Sequence, residues 1–207
     1  MTVRELQGAV RVEGREDRAA LFEYEDGVVV VVADGAGGTG RGAEAAQGVI
    51  DAVRRLGWSP EVSTWVDLLG RLDSILSPGQ TTAVIVAVGP TRLTGASVGD
   101  SEAWWFDGLT EHPLTQGQRR KPLLGSGEAV PVGFSLEVRG EGSLVLGSDG
   151  LWKYVRWARV PDALQHSPQE AALRLLESVR YPSGKLPDDV AVVVCRVGSG
   201  APETPVP

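Results

Sequence analysis

The segment VVVVVADGAGGTGRGAEAAQ, residues 28–47, decides how the rest of the sequence is interpreted. An apolar strand runs into a glycine-rich turn, and a helical pattern follows. Gly35, Gly37 and Gly40 match the G-x-G-x-x-G spacing of dinucleotide-binding loops. Asp34, at the tip of the strand, fits instead the edge of a metal site. The two interpretations are incompatible, and the helices and strands predicted after this segment decide between them.

A dinucleotide-binding fold needs a second parallel strand soon after the first helix, with an acidic residue about 20 positions beyond the glycines. Here two predicted helices, at about 41–56 and 60–76, follow one another, and the next strand begins only near Thr81. No Lys-Ser or Lys-Thr pair follows the glycines, so a P-loop is disfavoured as well. The order of the elements therefore favours the metal-site interpretation.

The remaining pattern predicts an α+β protein. Several strands occur between Thr81 and Ser148 with no helical pattern among them, and strands joined by short turns pair antiparallel. Ser167, Pro168 and Glu170 form a capping box with proline at the first position of a third helix, at about 168–179. We expect antiparallel sheets inside and helices outside. The predicted strands lie at about 19–24, 28–33, 82–88, 92–98, 102–106, 143–148 and 190–197.

Length and composition narrow the class of protein. The 207 residues suit one domain, which we place at 1–197, followed by a Gly- and Pro-rich tail at 198–207 that we expect to be disordered. A net charge of -7 disfavours nucleic acid as a partner. No segment has the apolar length of a membrane span or a signal peptide. We therefore expect a cytoplasmic monomer with no membrane partner.

Aspartates recur where the predicted strands begin or end. Asp34, Asp100 and Asp149 follow apolar strands, Asp188 precedes the last strand, and Asp17 precedes the first predicted one. Each alone could be an ordinary turn residue. If they converge, each pair of like charges about 4 Å apart repels by roughly 4 kcal/mol at an effective dielectric near 20. Converging carboxylates would then need cations, and an all-oxygen ligand set selects Mg²⁺ or Mn²⁺.

Five short sequence blocks contain these aspartates: ED (16–17), ADGAGG (33–38), VGDS (98–101), LGSDGLW (146–152) and DDVAVVV (188–194). Their order resembles that in the metal-dependent protein serine/threonine phosphatases, the type 2C family. The resemblance extends over residues 11–197 and implies an αββα sandwich with two Mn²⁺ or Mg²⁺ ions at one end of the sheets. A water bridging the two ions would attack phosphorus in line.

The resemblance also implies roles for individual residues. Asp34 would bridge both ions, and the carbonyl of Gly35 would join it. Asp17, Asp149 and Asp188 would supply further carboxylates, so that Asp34, Asp149 and Asp188 form the catalytic set.

Two further acidic residues have weaker implied roles. Glu16 would support the ligand set, and Asp100 would help to hold a third, looser ion. The implied substrate is phosphoserine or phosphothreonine on a protein, so the chain would act in signalling and oppose a serine/threonine kinase.

Several positions depart from the family pattern. The family carries a phosphate-binding arginine about five residues before the ED aspartate, whereas here Arg11 lies six before Asp17 and Arg15 two before it, so either could serve. Asp189 stands where the family has asparagine, and its charge could tighten cation binding or hinder phosphate approach. Ala36 leaves no histidine to act as a leaving-group acid at that position.

The predicted flap is short, since only DGLTEHPLTQGQRRKP, residues 107–122, fills its place. The short flap and the displaced arginine leave open a weakly active or non-catalytic phosphatase-like binding module. A metal-dependent phosphodiesterase or nuclease of a different fold is a further alternative, which the acidic composition disfavours.

Overall fold

A computed structural model describes residues 5–37 and 41–198, which form two five-stranded antiparallel sheets. The strands of the first sheet, in spatial order, are β1 (Leu6–Glu13), β12 (Val190–Val197), β11 (Gly142–Gly147), β8 (Glu102–Phe106) and β9 (Glu111–Pro113). Those of the second sheet are β10 (Val132–Glu137), β7 (Arg92–Val98), β6 (Ala83–Val88), β3 (Gly27–Ala33) and β2 (Arg18–Tyr24). A short ladder joins β4 (Gly35–Ala36) to β5 (Gln80–Thr81).

Helices cover the outer face of each sheet. The helices α1 (Arg41–Leu56) and α2 (Val62–Ile75) pack on the second sheet. The helices α3 (Asp149–Trp152), α4 (Arg159–Ala163) and α5 (Pro168–Ser178) pack on the first. None of the described helices is both long enough and apolar enough to cross a lipid bilayer.

Strand β3 shows why the sheets stack. All seven of its residues are buried, and successive side chains point to opposite faces. Val28, Val30 and Val32 pack between the two sheets, whereas Val29 and Val31 pack against α1 and α2. A strand buried on both faces is a continuous apolar run rather than an alternating one, as this one is. The four layers confirm the predicted αββα arrangement.

The predicted strands and the three long helices are present, with ends shifted by at most two residues. Ser167 caps α5, because its Oγ accepts the N–H of Glu170 at 3.3 Å. Strands β1 and β10 were not predicted: both lie at sheet edges and mix polar with apolar residues. The predicted disordered tail lies outside the described residues, apart from Gly198.

Candidate metal centre

The predicted aspartates gather at one end of the sandwich. A cavity of about 610 Å³ is lined by four of them, Asp34, Asp100, Asp149 and Asp188. A second cavity of about 410 Å³ shares Asp34 and Asp188 with the first and is also lined by Arg15, Glu16 and Gly35. Asp17 lies beneath, fully buried. Strand ends that are up to 171 positions apart in sequence thus meet, as antiparallel pairing of the strands predicts.

Asp17 has an unusual environment. Its side chain is fully buried, and neither carboxylate oxygen has a hydrogen-bond partner in the part of the chain that the structure describes. Burial raises the pKa of Asp17, and the nearby carboxylates of Asp189 and Asp149 act in the same direction against the hydroxyl of Ser148. Buried polar groups nearly always have partners, and the buried carboxylate of Asp17 has the chemistry of a cation ligand.

Asp34 is held by its backbone and presents its side chain to both cavities. Its N–H donates to Thr82 Oγ1 at 3.1 Å, and its carbonyl accepts the N–H of Thr82 and the hydroxyl of Thr81, each at 2.8 Å. Burial raises the pKa of Asp34, and repulsion from Asp17, Asp149 and Asp100 raises it further. The carboxylate is therefore fixed in position and electrostatically strained.

Close backbone packing explains the glycine at position 35. A Cβ at Gly35 would lie 2.4 Å from the carbonyl carbon of Gly42, at the start of α1. A Cβ at Gly42 would equally lie 2.7 Å from backbone atoms of Gly35 and Ala36. The two glycines allow α1 to pack directly against the turn, so their small size serves backbone packing beside the carboxylates.

The three other predicted carboxylates differ in their partners. Asp149 opens α3 and forms an ion pair with Lys153, one turn later. Asp100 is paired with Arg120, whose Nε and Nη2 both lie 2.7 Å from its Oδ2. Asp188 is exposed and accepts the N–H of Asp189 at 3.0 Å. The pairing of Asp149 with Lys153 and of Asp100 with Arg120 was not predicted.

The two candidate phosphate-binding arginines differ in position. Arg15 lines the smaller cavity together with Glu16, Asp34 and Asp188. Arg11 is exposed on β1, and its Nη1 donates to the carbonyl of the preceding residue at 3.1 Å. Arg15 is thus the better placed of the two to reach a group bound in the cavity.

The residues present fit a divalent cation site. The donors are oxygen atoms, and one buried carboxylate has both oxygens unpartnered. As the side chains stand, no three Asp, Glu, His or Cys within residues 5–37 and 41–198 are grouped as they would be around a bound ion. Lys153 and Arg120 draw two of the carboxylates toward themselves, which accounts for part of that spread.

No protein-family model matches the sequence, and neither does any curated protein. The structure is similar to the catalytic domain of the serine/threonine protein phosphatase PstP in complex with two manganese ions, with a TM-score of 0.79 and 24% identity. It is similar to the Mycobacterium tuberculosis serine/threonine phosphatase PstP/Ppp, with a TM-score of 0.77 and 22% identity. It is also similar to PppA, a regulatory component of T6SS in Pseudomonas aeruginosa, with a TM-score of 0.77 and 21% identity.

Each of these likenesses covers 95% of this chain and 100% of the other. The chain therefore has the fold of bacterial serine/threonine phosphatases.

Proposed function

We propose that the protein is a type 2C phosphatase that uses Mn²⁺ or Mg²⁺ to hydrolyse phosphoserine or phosphothreonine on proteins. The observation that carries the proposal is the buried, unpartnered carboxylate of Asp17 beneath a cavity lined by Asp34 and Asp149. The shared fold supports it. We further propose that it acts as a cytoplasmic monomer in signalling, opposing a serine/threonine kinase.

The energetics favour a site built for cations. A buried polar group without a partner costs about 1–3 kcal/mol, and repulsion between carboxylates adds to that. Total stability is only about 5–15 kcal/mol, so such a group is a large burden unless a ligand offsets it. A cation at about 100 times its dissociation constant would increase the free energy of unfolding by about 2.7 kcal/mol.

We assign the ligands by position. Asp17, Asp34, Asp149 and Asp188 would hold two ions together with the Gly35 carbonyl. Glu16 would support them, and Asp100 would help to hold a third ion. Two such ions, when bound, supply an activated water and offset negative charge on the attacking and leaving oxygens.

The other residues of the cavities bind and orient the substrate. Arg15 would hold the phosphoryl group, because a guanidinium can donate two parallel hydrogen bonds to it. Arg11, which the family spacing favours, is the alternative. No histidine is among the described residues that line the two cavities, so solvent would protonate the leaving alkoxide.

A cysteine mechanism does not fit. Cys195 is fully buried in β12, and burial raises the pKa of its thiol to about 12. The thiolate is the nucleophile in cysteine chemistry, and almost none would form at neutral pH.

The test is phosphate release from a phosphothreonine peptide with Mn²⁺. We expect Asp34→Asn and Asp149→Asn to abolish it. Asp107→Asn is the control, because Asp107 follows β8 at the end away from Asp100 and its carboxylate accepts only local N–H groups, from Leu109 and Thr110, among the described backbone donors. Turnover that persists in EDTA would contradict the proposal.

A second candidate is a phosphatase-like binding module with little or no activity. It is favoured by the ion pairs Asp100–Arg120 and Asp149–Lys153, which engage two carboxylates with the chain's own cations. Calorimetry distinguishes the two, because a module would bind phosphopeptide without releasing phosphate.

A further inference from the structure

Asp189 connects two distant parts of the candidate site. It lies one residue after Asp188, immediately before β12. Its Oδ2 accepts the backbone N–H groups of Arg15 and Glu16, each at 2.6 Å, across 174 and 173 positions of sequence. Hydrogen bonds to an ionised carboxylate are short and about twice as strong as neutral ones. The carboxylate of Asp189 is thus engaged by the turn at residues 14–17.

Gly14 makes the same contact from the other side. Its φ is +138°, a conformation that residues with a side chain rarely adopt. A Cβ at Gly14 would lie 2.1 Å from Cγ of Asp189, so the carboxyl group fills the space where a side chain would be. The turn therefore needs glycine at this position for both its conformation and its packing.

The turn at residues 14–17 is also held by Arg18, whose Nη1 donates to the carbonyl of Arg15 at 3.0 Å and to that of Asp17 at 2.7 Å. Strand β1, which ends at Glu13, belongs to the first sheet, and β2, which begins at Arg18, belongs to the second. The turn crosses from one sheet to the other, so no hairpin ladder sets its geometry. It carries Arg15, Glu16 and Asp17 in succession.

The backbone of Asp189 also contacts α3. A Cβ at Gly150 would lie 1.9 Å from the carbonyl oxygen of Asp189, and Gly150 directly follows Asp149. Asp189 thus lies where the segments bearing Asp17, Asp149 and Asp188 meet. A change at this residue would shift those three carboxylates relative to one another.

We propose that Asp189 is a positioning residue that fixes the turn at residues 14–17, and with it Arg15 and Asp17, against the segment bearing Asp188. This rests on the proposed function. Asp189 also lines the smaller cavity, and its Oδ2 is directed to the backbone N–H groups of Arg15 and Glu16. Both bonds are to one oxygen, so asparagine at this position could accept both through its amide oxygen, whereas alanine could accept none.

The experiment compares Asp189→Ala, Asp189→Asn and the control Asp107→Ala. Asp107 also accepts two backbone N–H groups, from Leu109 at 2.9 Å and Thr110 at 2.7 Å, in a turn remote from the cavities. Mn²⁺ affinity is measured by calorimetry without substrate, and amide hydrogen exchange of Arg15 and Glu16 is measured without metal. The KM and kcat for a phosphothreonine peptide are measured separately.

We expect Asp189→Ala to weaken Mn²⁺ binding about 10- to 100-fold, the usual range for residues that orient ligands. Exchange at Arg15 and Glu16 should accelerate, and the KM should rise because Arg15 is displaced. Asp189→Asn should restore most of the affinity, and Asp107→Ala should match the wild type in all three measurements.

Wild-type Mn²⁺ affinity in Asp189→Ala, or equal losses in the alanine and asparagine variants, would overturn the proposal. If Asp189→Ala does not fold, Gly14→Ala perturbs the same contact from the turn and should show the same losses. If the wild type releases no phosphate from the peptide, the proposed function fails. The exchange and Mn²⁺ measurements still decide the role of Asp189 in that case.

Discussion

Replacing Asp17 by asparagine should stabilise the metal-free protein while removing its response to cations. The side chain is fully buried, and both oxygens lack partners among the described residues. Asparagine has nearly the same shape but no charge, so the substitution removes the cost of burying a charge and the repulsion from Asp189 and Asp149 without leaving a void.

The magnitude follows from two terms. Repulsion from one carboxylate about 4 Å away is about 4 kcal/mol at an effective dielectric near 20, and protonation relieves part of it. The amide of asparagine stays without partners, which costs about 1–3 kcal/mol as the carboxyl group does. We therefore expect the free energy of unfolding to rise by about 1–3 kcal/mol at pH 8. For a chain of this size that is a rise in Tm of roughly 2–4 °C per kcal/mol.

The increase in the free energy of unfolding caused by Asp17→Asn should depend on pH. Burial raises the pKa of Asp17 in the folded state, so the folded protein keeps this proton at pH values where the unfolded chain has lost it. The contribution of Asp17 to the stability of the metal-free wild type is therefore greatest below about pH 4, the usual pKa of aspartate, and is lost as pH rises through the folded-state pKa. Asp17→Asn lacks this loss, so the two proteins should differ little near pH 4 and most at pH 8.

The assay is urea unfolding followed by tryptophan fluorescence, at pH 4 and pH 8, in EDTA and in Mn²⁺. Mn²⁺ should stabilise the wild type at pH 8 and have little effect on Asp17→Asn. A matched control is Asp73→Asn, because Asp73 is also buried but accepts three backbone N–H groups. The control should be destabilised instead. The reasoning is refuted if Asp17→Asn is less stable than the wild type in EDTA at pH 8, or if Mn²⁺ stabilises both equally.

Three further substitutions test buried hydrogen bonds and close packing in the fold. Asp73→Ala removes the acceptor of three N–H groups in the 125–129 loop, at 2.7, 3.1 and 3.0 Å. The free energy of unfolding should fall by about 3–5 kcal/mol, because the three buried donors lose their partner. A loss below 1 kcal/mol in a urea titration would contradict this. Trp58→Phe removes a buried indole N–H that has no partner among the described residues. Thermal unfolding should therefore show an unchanged free energy of unfolding or a gain of about 1 kcal/mol. A loss above 1 kcal/mol would contradict this expectation. Gly150→Ala places a methyl group 1.9 Å from the Asp189 carbonyl oxygen. Calorimetry should show a loss of about 1–3 kcal/mol in the free energy of unfolding together with weaker Mn²⁺ binding. Normal Mn²⁺ affinity would argue that the contact between Gly150 and Asp189 does not position the metal ligands.

Local pattern predicted the elements that are buried on both faces or that carry strong end signals. The run of valines in β3 and the capping box at Ser167 are such cases, because burial and capping are properties of adjacent residues. Strand β1 was missed because it is an edge strand of mixed polarity, LQGAVRVE, with a single fully buried residue. Its position depends on pairing with β12, nearly the whole chain away.

The candidate site was predictable in its acidic residues and not in their partners. An aspartate after an apolar strand is visible in sequence, so Asp34 and Asp149 could be found. The bonds from Asp189 to the turn at residues 14–17 span more than 170 positions, and no local signal marks them. Lys153, four residues after Asp149 within a helical turn, did carry a signal, because side chains at that spacing face each other.

The partners explain how one end of the fold can hold so many carboxylates. At the rim, Asp100 and Asp149 are neutralised by Arg120 and Lys153, whose side chains remain largely accessible and cost little to rearrange. In the interior, no basic side chain pairs with the carboxylate of Asp17 in the described part of the chain, and burial raises the pKa of that carboxyl group. A cation binding at neutral pH would therefore have to release one ion pair at the rim and displace a proton from Asp34, since burial and the nearby carboxylates raise the pKa of Asp34 to about 9. Its affinity should then increase with pH, whereas exchanging Lys153 for methionine should strengthen it at every pH.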